Sequence, residues 1–246
     1  MELTGKVAVV HGAAGSMGGA VARAFAAAGA TVHLGGRTLK ALDEVADDIR
    51  SAGGTASTAE VDVDDEAAVE RHADAVVEES GRFDVVFNAT GMDAVQNVPH
   101  VDLALDDFLS PIVVSARRQF LTSRAAARRM VAQGSGTIVF LTASSAREWR
   151  HEMGGFNVAC AGIEALTRSL AGELGPHGVR VVCLRPNFTP ETMPAIDPPA
   201  RLIDDTTLGR LPRLSEVAGS AVFAASDRAG AISGAVLNLT CGAIVD

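Results

Sequence analysis

Two stretches of this 246-residue chain combine residue types and spacing suited to chemistry. The first is His11-Gly12-Ala13-Ala14-Gly15-Ser16-Met17-Gly18. It follows an apolar run and precedes a helical pattern. Small residues in such a turn let the backbone approach a pyrophosphate, and the helix N-terminus behind it favours negative charge. The same residues also suit a merely tight strand-to-helix turn. The second stretch is Ser144-Ser145-Ala146-Arg147-Glu148-Trp149-Arg150-His151-Glu152. Ser144, Ser145, His151, Glu148 and Glu152 offer hydroxyls, an imidazole and carboxylates. A histidine beside a carboxylate is a candidate acid–base group near neutral pH. A solvated or interface loop would carry the same residues, and Trp149 suits a pocket wall or a subunit contact. The chain contains no tyrosine. A phenol, with its ordinary pKa of about 10, is therefore not available for proton transfer. Cys160, Cys183 and Cys241 lie far apart and lack CxxC spacing, which argues against a zinc knuckle or a redox pair.

These residues need a frame. Short apolar runs alternate with alanine-rich helical patterns. Strands are predicted at 7–10, 31–34, 56–61, 85–88, 137–141, 179–184 and 235–239. Helices are predicted at 18–28, 39–52, 66–80, 106–133, 159–174 and 215–225, the fourth interrupted near Pro111. Leu42, Val45, Ala46 and Ile49 recur with helical spacing and mark a buried face. Strand–helix alternation of this length predicts one α/β domain with a doubly wound parallel sheet.

Further segments carry a family likeness. The glycine-rich turn matches a Thr-Gly-x-x-x-Gly-x-Gly loop at Gly12 and Gly18, with His11 for the threonine and Ser16 for the middle glycine. Asp62 lies in Val61-Asp62-Val63, and Asn88-Ala89-Thr90-Gly91 resembles Asn-Asn-Ala-Gly. Thr167-Arg168-Ser169-Leu170-Ala171, Leu208-Gly209-Arg210-Leu211 and Ile232-Ser233-Gly234-Ala235-Val236-Leu237-Asn238-Leu239 extend the match. Together they make the chain resemble the single-domain branch of the short-chain dehydrogenase/reductase family over nearly its whole length. The resemblance implies a seven-stranded Rossmann fold with helices on both faces. It implies a nucleotide site at Gly12, Gly15, Ser16, Met17, Gly18, Arg37, Asp62, Val63, Asn88, Ala89 and Pro186. No carboxylate stands near Gly36 to take the ribose hydroxyls, and Arg37 suits a 2′-phosphate, so NADP(H) is preferred over NAD(H). His11 reads as a neutral packed ring.

The family's chemistry uses a tyrosine, a lysine four residues later, a serine thirteen residues before the tyrosine, and an asparagine on the fourth helix. Counting from Thr167 puts Phe156 at the tyrosine and Cys160 at the lysine. Ala143 falls at the serine, or Ser144 with the register moved by one, and Ser115 falls at the asparagine. The proline–glycine pair after the sixth strand becomes Pro186-Asn187. All four positions differ from the pattern. The resemblance therefore implies an oxidoreductase-like protein that binds NADP(H) but lacks ordinary carbonyl reduction, acting as a non-catalytic subunit or sensor. The alternative is an active NADP-dependent enzyme drawing acid–base groups from residues 144–152, with Ser144 or His151 as substitutes.

The formal charge of −9 argues against nucleic acid or an anionic membrane as partner. With no signal-like or membrane-length apolar segment, a cytoplasmic protein is expected. Residues 186–213 read as a lid over a small-molecule pocket. The family likeness implies a homodimer or homotetramer, or a hetero-oligomer with an intact relative. The arginines at 117, 118, 124, 128 and 129 suit either a solvated face or acids on a partner.

Overall fold

The computed structural model describes residues 1–198 and 200–245. Seven parallel strands form one sheet in the order β3-β2-β1-β4-β5-β6-β7. They are β1 (Val7–His11), β2 (Thr31–Gly36), β3 (Thr55–Glu60), β4 (Val85–Asn88), β5 (Gly136–Leu141), β6 (Val179–Pro186) and β7 (Val236–Leu239). The helices are α1 (Ser16–Ala27), α2 (Leu39–Ser51), α3 (Glu66–Ser80), α4 (Leu105–Gln133), α5 (Gly155–Leu174), the short α6 (Ala200–Asp204) and α7 (Leu214–Ala225).

Side-chain alternation along the strands builds one core on each face of the sheet. Val10, Leu34 and Leu184 pack with Phe25 of α1, Leu42 of α2 and Val217 of α7. Val9, Phe140 and Val181 pack with Val69 of α3, Met130 of α4 and Ile163 of α5. The predicted face of α2, Leu42, Val45, Ala46 and Ile49, is buried. Asp65 caps α3 by accepting from the amides of Ala67 at 2.9 Å and Ala68 at 3.3 Å. The doubly wound, seven-stranded fold expected from the sequence is the one observed.

Two helix starts and one expected interruption differ from expectation where the site is built. Helix α1 starts at Ser16 rather than at residue 18, so Ser16 and Met17 belong to its first turn. Helix α5 starts at Gly155 rather than at residue 159, which puts Phe156 and Cys160 on one helix. Gly154, with φ +55°, makes the sharp entry. Gly155 then lets the chain pass close to the Phe108 carbonyl oxygen and Pro111, where a Cβ would collide. Helix α4 runs unbroken through Pro111. The missing proline N–H removes one helical bond near its start. The ring is buried beside Gly155, and that packing offsets the loss.

Of the α4 arginines singled out, Arg117 is exposed, while the others face acids within the chain. Arg124 pairs with Glu66, Arg128 with Glu70, and Arg129 with Glu70 and Asp74. These pairs fasten α4 to α3. Among the described residues no helix is long and apolar enough to cross a membrane.

Candidate functional site

From β1 the chain crosses to β2 on one side, while β4 flanks β1 on the other. Such a reversal opens a crevice at the carboxyl ends of the strands, where ligands of open α/β sheets bind. The turn after β1 and the loop after β4 meet there. Gly12 adopts φ +77°, and a Cβ on it would lie 2.5 Å from Ala89 O. The Gly12 amide donates to Gly35 O at 2.9 Å, and the Ala89 amide donates to His11 O at 3.0 Å. Gly18 is equally constrained, because a side chain would strike the Gly12 carbonyl. Gly15 is the N-cap of α1, and no side chain caps that terminus. Gly15 and Ser16 are exposed and Met17 half-buried. The first turn of α1 thus presents its N–H groups to an anion, as a pyrophosphate requires.

Around this turn, Arg37 is exposed directly after β2. Asp62 is exposed after β3, its carboxylate accepting from the Asp64 amide at 3.0 Å, and Val63 is buried. Asn88 is 1% exposed at the end of β4, Ala89 is half-buried, and Pro186 ends β6. Both amide atoms of Asn88 and the Thr90 hydroxyl are buried without a hydrogen bond inside the chain. Buried polar atoms need partners, so this loop suits a polar ligand. Glycine contacts, uncapped helix and orphaned polar atoms together fit a dinucleotide.

On the other side of the crevice lie the positions aligned with catalytic residues. Ser115 is buried on α4, and its hydroxyl makes no hydrogen bond. Ala143 is half-buried two residues beyond β5. Phe156 is half-buried in the first turn of α5. Cys160, one turn on, is 1% exposed, and burial pushes its thiol up to about 12. The Thr142 hydroxyl donates to Cys160 O at 3.0 Å, tying the end of β5 to α5. Ser144 Oγ donates to Asn187 Oδ1 at 3.1 Å, and the same oxygen accepts from the Phe188 amide at 2.8 Å.

The charged loop is largely self-satisfied. Ser145 is buried. Burial disfavours the charge on Glu148, yet the Arg150 guanidinium and the amides of Arg150 and Trp149 hold its pKa below the usual value. Arg150 donates to Asp205 at 2.9 Å, and His151 Nε2 lies 3.8 Å from Asp205 Oδ2. Asp205 directly follows α6, so His151 faces the lid segment. Trp149 is 85% exposed. Glu152 is exposed and contributes its carbonyl, which accepts from the Asn97 amide at 2.7 Å.

Several partners were not singled out from the sequence. Asp205 holds the loop, and Asn187 holds Ser144. Glu164 and Arg185 form a buried ion pair at 3.1 Å, with Arg147 3.6 Å from the same carboxylate. Glu164 lies four residues after Cys160 and eight after Phe156, a helical spacing that puts all three near one face. Away from these positions, His11 packs against His72 with ring centroids 5.6 Å apart. Burial and then the neighbouring His72 lower His11 to about 3. Burial and then His33 lower His72 to about 4.

A family model described as enoyl-(acyl carrier protein) reductase matches residues 12–243. The chain belongs to the short-chain dehydrogenase/reductase family. It is 34% identical over 246 residues to the uncharacterized oxidoreductase YxbG of Bacillus subtilis (strain 168), covering 95% of this chain and 89% of that one. It is 32% identical over 248 residues to D-threitol dehydrogenase of Mycolicibacterium smegmatis, covering 98% and 94%. A solved structure of NAD+-bound xylitol dehydrogenase superposes with a TM-score of 0.90 at 25% identity, covering 98% of this chain and all of that one. The family comprises NAD(P)-dependent oxidoreductases, typically oligomeric, that act on small molecules.

Proposed function

We propose that this family member binds NADP(H) but has weak or no ordinary carbonyl-reducing or alcohol-oxidising activity, and works as a non-catalytic subunit or sensor. The pair Phe156–Cys160 carries this reading. The phenyl ring has no proton to give. The Cys160 thiol, pushed up to about 12, stays neutral at physiological pH and supplies no positive charge. The methyl group of Ala143 polarises nothing, and Ser144 beside it already donates to Asn187. Loss of a general acid alone costs about 10²–10⁴ in rate.

When bound, the nucleotide would supply hydride chemistry. The chain's own part is to hold it. The first turn of α1 with Gly12 and Gly18 receives the pyrophosphate, and Asp62 and Val63 take the adenine. Arg37 takes the 2′-phosphate, and Asn88, Ala89 and Pro186 line the nicotinamide side. Residues 186–198 and 200–213 cover a small-molecule pocket; residue 199 of the expected lid lies outside the described residues. Exposed Leu109, Val113 and Phe120 on α4 and Val158 on α5 support self-association through these helices.

A second reading is favoured by one contact and by the dehydrogenase names of the relatives. His151 stands near Asp205, a pairing suited to an acid–base group, and makes an altered active enzyme the alternative.

Calorimetric titration with NADPH and NADH, followed by turnover assays on ketones and alcohols, tests both readings. Micromolar binding of NADPH without turnover is the expected outcome. Binding of neither nucleotide sinks the cofactor assignment. Rates near those of ordinary relatives, abolished by His151→Ala, would establish the alternative.

A further inference from the structure

Arg118 has no part in the nucleotide reading, yet it ties two of that site's loops together. It projects from α4, half-buried. Its Nε donates to Asp64 Oδ1 at 2.9 Å and Oδ2 at 3.2 Å, and its Nη2 donates to Oδ2 at 2.7 Å. Its Nη1 donates to the Gly91 carbonyl at 2.5 Å. Asp64 stands two residues after Asp62 on the loop leaving β3. Gly91 stands three residues after Asn88 on the loop leaving β4. One planar fork therefore joins the carboxyl ends of both strands. The β4 loop is held from its other side as well, because Ala89 packs onto the bare Cα of Gly12.

The clamp also governs charge. The hydrogen bond from Arg118 is the largest influence holding Asp64 below the usual carboxylate value; burial opposes it, and the charges of Arg118, Arg117 and Arg37 add to it. Arg37, the residue assigned to the 2′-phosphate, directly follows β2, which pairs with β3 through Gly36 and Glu60, so the loop carrying Asp64 leaves the sheet beside it. A carboxylate released from Arg118 would compete with that phosphate for the same guanidinium. Lysine cannot replace the fork, since an ammonium is a point donor without bidentate geometry.

We propose that Arg118 is a positioning residue for the adenylate half of the ligand: it fixes the β3 and β4 loops in register and holds the Asp64 carboxylate away from Arg37. This deepens, and rests on, the NADP(H) reading above.

The test titrates NADPH, NADH and adenosine 2′,5′-bisphosphate into the wild-type protein, Arg118→Met, Arg118→Lys and the double variant Arg118→Met/Asp64→Asn. Melting temperatures accompany each titration. Arg118→Met weakens NADPH and the bisphosphate about tenfold and NADH less, within the range usual for coupled sites. Arg118→Lys keeps a charge for Asp64 but not the fork that also reaches Gly91, and falls between the wild type and Arg118→Met. Removing the freed carboxylate in the double variant restores most of the lost affinity for the 2′-phosphorylated ligands. A purely structural role would instead weaken all ligands alike, lower the melting temperature and show no rescue by Asp64→Asn; that pattern overturns the proposal, as does unchanged binding in Arg118→Met. Should the wild-type protein bind none of the three, the nucleotide reading itself fails and the positioning role with it. The wild-type titration alone separates that failure from a failure of the clamp.

Discussion

Acid should weaken this fold well before its carboxylates protonate, because two histidines are buried uncharged. His11 ends β1 and packs against His72 of α3. Their values in the folded protein are about 3 and about 4, against an ordinary 6.5. Both are lowered by folding, so the unfolded chain binds more protons below pH 6.5. Stability is thus full above the ordinary value and is lost as pH falls toward the folded values. Between pH 8 and pH 5 each ring forgoes nearly 1.5 pK units of protonation, about 2 kcal/mol per ring and roughly 4 kcal/mol for the pair. His33, bonded to Ser57 and Ser80 at 2.8 Å, is lowered by burial against the pull of Glu79 and adds in the same direction. Asp64 and Glu148 are also lowered, but their ordinary values of 3.8 and 4.5 place their losses at lower pH. The window from pH 8 to 5 therefore isolates the histidines. Urea unfolding at both pH values, at fixed protein concentration, reads the difference. His11→Thr/His72→Leu should flatten the dependence by most of that amount. A wild-type loss under about 1 kcal/mol, or an equal loss in the double variant, would refute the buried-neutral account.

Three further outcomes are expected. Phe156→Tyr alone leaves carbonyl reduction undetectable in a nicotinamide absorbance assay, because Cys160 and Ala143 leave the phenol unsupported; strong activity from that single change would show the positions to be uncoupled. Gly155→Ala forces a Cβ into the Phe108 carbonyl, so thermal melting should fall by roughly 5–10 °C. Glu164→Leu removes the buried carboxylate that lies 3.1 Å from Arg185 and 3.6 Å from Arg147, and the urea midpoint should drop with an unchanged slope.

The legible parts of the molecule were local. The apolar run at β1, the small residues after it and the helical spacing of Leu42, Val45, Ala46 and Ile49 each sit within a few residues of one another. Boundaries were missed where a distant contact sets them. Helix α5 starts early because Gly155 packs on Phe108 and Pro111 of α4, more than forty residues away in sequence. Pro111 stays inside α4 for the same reason, since its buried packing outweighs the local cost. The arginine cluster of α4 could not be assigned to solvent, a partner or the chain itself until α3 was laid beside it.

The sequence by itself determined the family, the parallel α/β architecture, the glycine turn and the absence of any tyrosine. Residue identity and short spacings suffice for those. Tertiary structure alone decided what the polar residues do. Ser144 meets Asn187 across 43 residues, Arg118 meets Asp64 across 54, and Arg150 meets Asp205 across 55. Such pairings depend on which loops the sheet order brings to one edge, and no local pattern encodes that order. The same packing buries Cys160 and so holds its thiol neutral, a property that burial confers and the residue's name does not.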